Sequence, residues 1–380
     1  MAGQQRTSGG LIDAHSHLRS TALADHGVPG STLEESLLRM NAMTAVDIDD
    51  DVFVATARML EAGITGVQGM YHSFAPPEEY LVGLSRVIAG VRRSGIRALI
   101  ILGITDQAEF LPPWSKRSIT LPGFVHQHRG MTAEQFGGVV DAAIAAHPEV
   151  TIGVGPVGPQ WCSEGLLRMV AEIASPGLRI HTHCVESQAQ RTWDYPDPIS
   201  RLERAGLLGP HTSLAHAVWA SAEEVSRLVD TGTHLVTCPH SNRLLGAGEA
   251  PVSMWQESGA SIALGLDSAE SLPDPVGVSR MVFPADPLQV LVSGGQAATG
   301  LPTDEDEVVF IDDQSGRVDR VLVGGRELVT QGAHTHRDSV ADAWDRIVST
   351  MSADATERGK RQSQLDEIMS DYLDALKPAP

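Results

Sequence analysis

With 380 residues, 42% of them hydrophobic and 20% charged, the chain has room for one large α/β domain and an accessory piece, in an ordinary globular composition. Its net charge of −20 excludes the partners that need basic patches, a nucleic-acid backbone or an anionic membrane surface, and leaves a small-molecule substrate. Three cysteines (Cys162, Cys184, Cys238) without a CxxC pair exclude a disulfide framework or a cysteine zinc knuckle. The N-terminus, MAGQQRTSGG, lacks an apolar signal core and no run approaches a membrane span, so a reducing, cytoplasmic compartment is expected.

Along the chain, short apolar runs alternate with stretches of helical period. The runs are LIDAH (11–15), ITGVQG (64–69), RALIILGI (97–104), VTIGVG (150–155), LRIHTH (178–183), TSLAHA (212–217), HLVTC (234–238) and SIALGL (261–266). Helical stretches include STLEESLLRM (31–40), with Ser31 or Thr32 as its cap, DDVFVATARMLEAG (50–63), TAEQFGGVVDAAIAAH (132–147) and SAEEVSRLVDTG (221–232). Eight strand–helix units predict an α/β fold, a (β/α)8 TIM barrel, over residues 10–300. A doubly wound sheet would want a glycine-rich phosphate turn after the first strand, which is missing. The segment 110–130, rich in proline and glycine, reads as a loop at the barrel mouth. Past the eighth run, EVVFIDD (307–313) and a hairpin turning at Gly324-Gly325 predict a reduced accessory β element, a partial sandwich over 301–335, followed by a C-terminal helix within 336–380. That helix is expected to pack across the barrel or on a partner subunit, and a homodimer is one expectation.

In a barrel, reactive groups gather at the C-terminal ends of the strands. The first run ends in His15 and His17, whose alternation along a strand aims both imidazoles the same way. The fifth ends in His181 and His183 with Glu186 three residues on, the sixth in His216 and the eighth in Asp267. Three or four histidines and one aspartate make a normal ligand set for a divalent ion with an open position. Glu186, just beyond its strand, suits a general acid or base.

The ordered set DAHSHL, GIT, HTHCVE, LAH, CPHSN and LGLDS resembles the metal-dependent amidohydrolase superfamily, and within it the cyclic-amidine aminohydrolases such as cytosine and guanine deaminases and triazine hydrolases. The resemblance covers about residues 10 to 300. It implies one divalent metal, zinc in preference to iron(II), held by His15, His17, His183 and Asp267. It implies that Glu186 protonates the ring nitrogen, that His216 orients the attacking water, and that Asp267 carries the water's proton to the leaving group. The chain departs from the pattern in having about ten residues before HxH where some fifty are usual. It also has Thr237 where a histidine is usual, and Gly69 at an often acidic position near the end of the second strand. These changes spare the ligand set and bear on substrate class.

Other residues invite plainer readings. His181 is expected to pack behind the ligands, and Asn242 to brace a loop. His72, Gln160 and Trp161 are the expected substrate contacts. Cys184 reads as a buried apolar filler. The pairs His126/His128 and His334/His336 read as loop surface and solvated linker.

The expected activity is hydrolytic release of ammonia from a cyclic amidine, aminopurine, aminopyrimidine or guanidine-like small molecule. Alternatives are cleavage of a lactam, amide or carbon–halide bond of a heterocycle, and a barrel that binds a small molecule without turnover.

Overall fold

The apolar runs become strands in the computed structural model, which describes residues 5–107, 110–112, 115, 119–125, 130–175, 177–193, 197–268, 274–303, 308–312 and 317–377. A short strand, β1 (Gln5–Gly9), comes first. Eight more follow: β2 (Leu11–Ser16), β3 (Ile64–His72), β4 (Arg97–Ile104), β5 (Thr151–Pro156), β6 (Ile180–Cys184), β7 (Thr212–His216), β8 (His234–Thr237) and β9 (Ile262–Leu264). They form one sheet in sequential order, each neighbouring pair parallel. Just past β9 the sheet meets its own start. Ser16 bridges in parallel to Asp267, Asp267 N donates to His15 O at 2.8 Å, and His17 N donates to Asp267 O at 3.0 Å. With helices between the strands, this is a (β/α)8 barrel. Every residue of β2, β6 and β7 is buried, as befits strands covered on both faces.

The helices start where the sequence supplies caps. The Thr32 hydroxyl accepts from Glu35 N at the head of helix Leu33–Met40, and Asp47 accepts from Asp49 N and Asp50 N at the head of Ile48–Glu61. Thr132 with Gln135, and Ser221 with Glu224, form capping boxes for Ala133–Ala146 and Ala222–Thr231.

A second, antiparallel sheet runs β1, β10 (Val308–Asp312), β11 (Val318–Val323), β12 (Arg326–Thr330), β13 (Ala333–His334). The β11–β12 hairpin turns on Gly324 and Gly325, both at positive φ (55° and 72°), the conformation a tight two-residue turn demands. The sequence reading placed strands here but none before residue 10. The polar stretch QRTSG carries no apolar alternation, and its pairing with β10 makes it a strand.

The C-terminal segment is two helices rather than one, Arg337–Ala353 and Ala355–Ala375, separated at Asp354. The first buries Ala343, Ile347 and Met351 in a cluster with Phe53 and Val54. Leu365, Met369 and Tyr372 of the second join a cluster that includes Leu38. Burying each large side chain stabilises by roughly 1.5–3 kcal/mol. Arg39 Nη2 pairs with Asp366 at 2.7 Å, and Arg346 grips Asp50 through two 2.7 Å hydrogen bonds. The arm is thus laid on the helices that follow β2.

His334 corrects the linker reading: it is buried, its Nε2 donates to Ser94 O at 2.9 Å, and its backbone N donates to Glu61 at 2.9 Å. The β13 pairing carries it inward, a placement that the polar AHTHR stretch does not advertise. His126 and His128 lie outside the described residues. Among the described residues no helix is long and apolar enough to cross a membrane.

Candidate metal centre and active site

The strand order and the barrel's closure bring His15, His17, His183, His216, Glu186 and Asp267 to one end. The backbone is bent to do so. Among the described residues, five of the six non-glycine residues at positive φ (Leu18, Val185, His216, Ala217 and Asp267) lie at these strand ends, each a conformation costing on the order of 1–3 kcal/mol. Gly69 belongs to the same arrangement. A Cβ there would come 2.5 Å from the Leu18 side chain, so its smallness makes room for the turn that follows His17.

Each inward nitrogen is aimed by what its ring does on the other side. His183 Nδ1 donates to Val157 O at 2.7 Å, and His216 Nδ1 donates to Asn242 Oδ1 at 2.9 Å. His15 Nδ1 lies 2.8 Å from His181 Nε2. With Nδ1 engaged, the Nε2 atoms point to the centre. His183 Nε2 is 3.2 Å from His17 Nε2, and Asp267 Oδ1 stands 3.3 Å from His17 Nε2 and 3.5 Å from His15 Nε2. The Nε2 atoms of His15 and His216 are buried without a hydrogen-bond partner among the described residues.

Electrostatics favours neutral rings. Burial, reinforced by the neighbouring imidazoles, lowers His183 and His216 to about 4 and pulls His15 and His17 down as well. Burial works against ionisation of Asp267, but its approach to His15, His17 and His216 prevails and holds it well below the usual carboxylate range. Ser241 Oγ donates to its other oxygen. Glu186 goes the opposite way: burial, then Asp267, then Glu34 push it well above its ordinary value. Beneath the site Asp13, raised to about 8 chiefly by burial, accepts from the backbone N of His15 and of Leu266.

Converging lone pairs, a carboxylate and an orphaned buried nitrogen are a set that a divalent cation satisfies. His15, His17 and His183 each offer a ligand atom within 4.8 Å of the others. Glu186, His216 and Asp267 form an adjoining group by the same measure, with Glu186 Oε2 3.7 Å from His216 Nε2. The geometry accommodates one metal, with an acid and a base beside it.

The remaining expected contacts are more scattered. His72 ends β3 with its ring 4.8 Å from that of Phe74, and burial, followed by Arg19, lowers it to about 4. Gln160 and Trp161 are buried in a short helical turn after β5, Trp161 within an apolar cluster containing Phe110, Val125 and Val157. Ser241 and Glu34 were not singled out in sequence, and Asn242 was expected in another role. Asn242 braces His216 rather than a loop, Ser241 holds Asp267, and Glu34 accepts from Ser187 Oγ beside Glu186. CPHSN held the first two in plain view, but no spacing rule ties it to β7. Cys184 is buried and forms no disulfide.

Comparison with known proteins agrees with this geometry. Residues 8–297 match the model of the Amidohydrolase family. The 5-methylthioadenosine/S-adenosylhomocysteine deaminase of Teredinibacter turnerae is 27% identical over 272 residues, covering 69% of this chain and 56% of that enzyme. The chain therefore spans a little over half the length of that relative. An adenosine deaminase from Xanthomonas campestris, crystallised with zinc, superposes with a TM-score of 0.71 at 20% identity, covering 94% of this chain and 86% of that one. Atrazine chlorohydrolase TrzN from Arthrobacter aurescens TC1, also with zinc, gives 0.68 at 19%, covering 92% and 88%. At such identity the two structures share the fold alone. The family match spans most of the chain, from before β2 to beyond Asp267, and this protein belongs to the amidohydrolase family.

Proposed function

We propose that the protein is a metal-dependent deaminase that replaces the amino group of a cyclic amidine, in an aminopurine, adenosine-like nucleoside or aminopyrimidine, by oxygen and releases ammonia. The observation that carries this reading is the pairing of a raised Glu186 with a depressed Asp267 across the His15, His17, His183 cluster. Relatives named as deaminases of adenosine derivatives support it.

A divalent ion held by His15, His17, His183 and Asp267 would lower the pKa of a bound water toward neutrality. Zinc is preferred over iron(II), supported by the zinc in two proteins of this fold. The protein supplies the rest. Glu186, whose proton burial and the neighbouring Asp267 help to retain, donates to the ring nitrogen of the C=N bond, which takes the π pair as the water oxygen adds to carbon. Asp267, ionised, accepts the water's proton. The His216 Nε2 lone pair, fixed by Asn242, orients the water. Asp267 hands that proton to the exocyclic nitrogen, and ammonia leaves as C=O forms and the hydroxyl proton returns to Glu186. His72, Gln160 and Trp161 border the substrate in this reading. The buried cysteines, which form no disulfide, suit a reducing, cytoplasmic setting, and a homodimer is part of the proposal.

The test is ammonia release by metal-replete protein across adenosine derivatives, guanine, cytosine and s-triazines, with product mass read in parallel. Replacement of NH2 by OH with stoichiometric ammonia supports deamination. Turnover with loss of chloride or ring opening and no ammonia replaces it by the carbon–halide or lactam reading. Metal-loaded protein that turns over nothing replaces it by a binding role.

A further inference from the structure

Behind His15 lies a line of buried polar groups that the proposed chemistry does not use. His15 Nδ1 is 2.8 Å from His181 Nε2, and His181 Nδ1 is 2.7 Å from Ser213 Oγ. Gln68 Nε2 donates to Ser213 Oγ at 3.3 Å and to Ala14 O at 2.6 Å, so the line returns to the strand it left. It crosses β2, β6, β7 and β3, and His15, His181, Ser213 and Gln68 are all wholly buried.

A line of two imidazoles and a hydroxyl has two proton arrangements. In one, Ser213 donates to His181 Nδ1 and His181 Nε2–H donates to His15 Nδ1. The proton of His15 then sits on Nε2, pointing at the cation site, and His15 is no ligand. In the other, His15 Nδ1–H donates to His181 Nε2 and His181 Nδ1–H donates to Ser213 Oγ. This frees the His15 Nε2 lone pair. Gln68 N–H donates to Ser213 Oγ in either arrangement, and of the two only the second suits a cation at His15 Nε2. His183 offers a contrast. Its Nδ1 is fixed by the backbone carbonyl of Val157, which no substitution removes. The tautomer of His15 depends on side chains alone.

We infer that His181, seated by Ser213 and Gln68, is a positioning residue that holds His15 in its metal-binding tautomer and so sets the affinity of the metal centre. The inference rests on the metal reading above and adds a determinant outside its ligand set. Partners behind a metal-bound histidine typically contribute about 10–100-fold to affinity.

The experiment measures the zinc dissociation constant by competition with a chromophoric chelator, and the visible spectrum of the cobalt(II)-substituted protein, for wild type, His181→Phe, His181→Gln and Ser213→Ala. His181→Phe fills the space without an acceptor and is expected to bind zinc about 10–100-fold more weakly, with an altered cobalt spectrum. His181→Gln keeps a carbonyl acceptor and is expected to restore most of the affinity. Ser213→Ala is expected to weaken binding by a smaller factor. Should His181→Phe fail to fold, Ser213→Ala and His181→Gln against wild type decide. Wild-type zinc affinity in a folded His181→Phe and in Ser213→Ala would reduce the line to packing and overturn the inference alone. A wild-type protein that takes up no zinc overturns the metal reading and this inference together.

Discussion

His17 and His183 face each other with ring planes only 6° apart and Nε2 atoms separated by 3.2 Å, although their strands, β2 and β6, are not neighbours in the barrel. His183 already spends its Nδ1 proton on Val157, so its Nε2 offers a lone pair. A cation held by both Nε2 lone pairs would take the place of that contact and tie β2 to β6. Removal of metal by a chelator is therefore expected to lower the thermal unfolding midpoint, and zinc to restore it. Free zinc at a thousand times the dissociation constant contributes about 4 kcal/mol. Calorimetry with and without zinc, beside His17→Ala and His183→Ala, checks this, and a midpoint indifferent to zinc would sink the cation site.

Glu186 is assigned to proton delivery, not to ligation. Glu186→Gln keeps the shape of the side chain and removes the transferable proton. Turnover is expected to fall by about 10²–10⁴-fold while metal content stays at the wild-type value. Metal lost along with activity would recast Glu186 as a ligand.

Two glycines give opposite expectations for one added methyl group. A Cβ on Gly155 would lie 1.8 Å from the carbonyl oxygen of His181, backbone that cannot move without shifting β6 and the ring of His183. Gly155→Ala is expected to cost about 1–3 kcal/mol or more. Gly138 lies exposed in helix Ala133–Ala146 with nothing near its Cβ position, and Gly138→Ala is expected to stabilise by about 1 kcal/mol. Urea unfolding of the two variants reads both, and equal midpoints would contradict the packing described for β5 and β6.

The helical arm is fastened by carboxylates. The Arg346 hydrogen bonds, against the cost of burial, hold Asp50 below its ordinary range, and Arg361 does the same for Asp354. A carboxylate depressed in the folded state adds stability above its unfolded pKa and loses it as pH falls through the folded value. The arm is expected to loosen below about pH 4. Hydrogen exchange of residues 337–375, corrected for intrinsic rates, should rise between about pH 5 and pH 3 while the barrel strands stay protected. Equal protection across that window would show that the apolar contacts of Ile347, Met351 and Tyr372 suffice.

What could be read in the sequence follows from which forces are local. The barrel strands show as apolar runs because burial on both faces writes itself into composition, and the residues singled out for chemistry share one barrel end because strand ends do. Residues whose place depends on a distant partner were opaque. Gln5–Gly9 is a strand only because β10 is there to pair with it, and His334 is inside only because β12 and Ser94 receive it. Ser241, Asn242 and Glu34 act through contacts across the barrel mouth that no spacing encodes. The break at Asp354 falls in a sequence without glycine or proline and follows from the two helices having different surfaces to cover.

The closure of the barrel at Ser16 and Asp267 also bears on how the protein is made. His15 and His17 are synthesised well before Asp267, the carboxylate that completes their site, which lies 250 positions after His17. The Asp13–Leu266 hydrogen bond already joins positions 253 apart in the sequence. At common rates of synthesis that interval is on the order of 10–50 s. The nascent chain therefore carries these histidines without their aspartate through that interval. A metal held by these residues would find its full ligand set only once β9 lies beside β2, so metal uptake would report closure of the barrel.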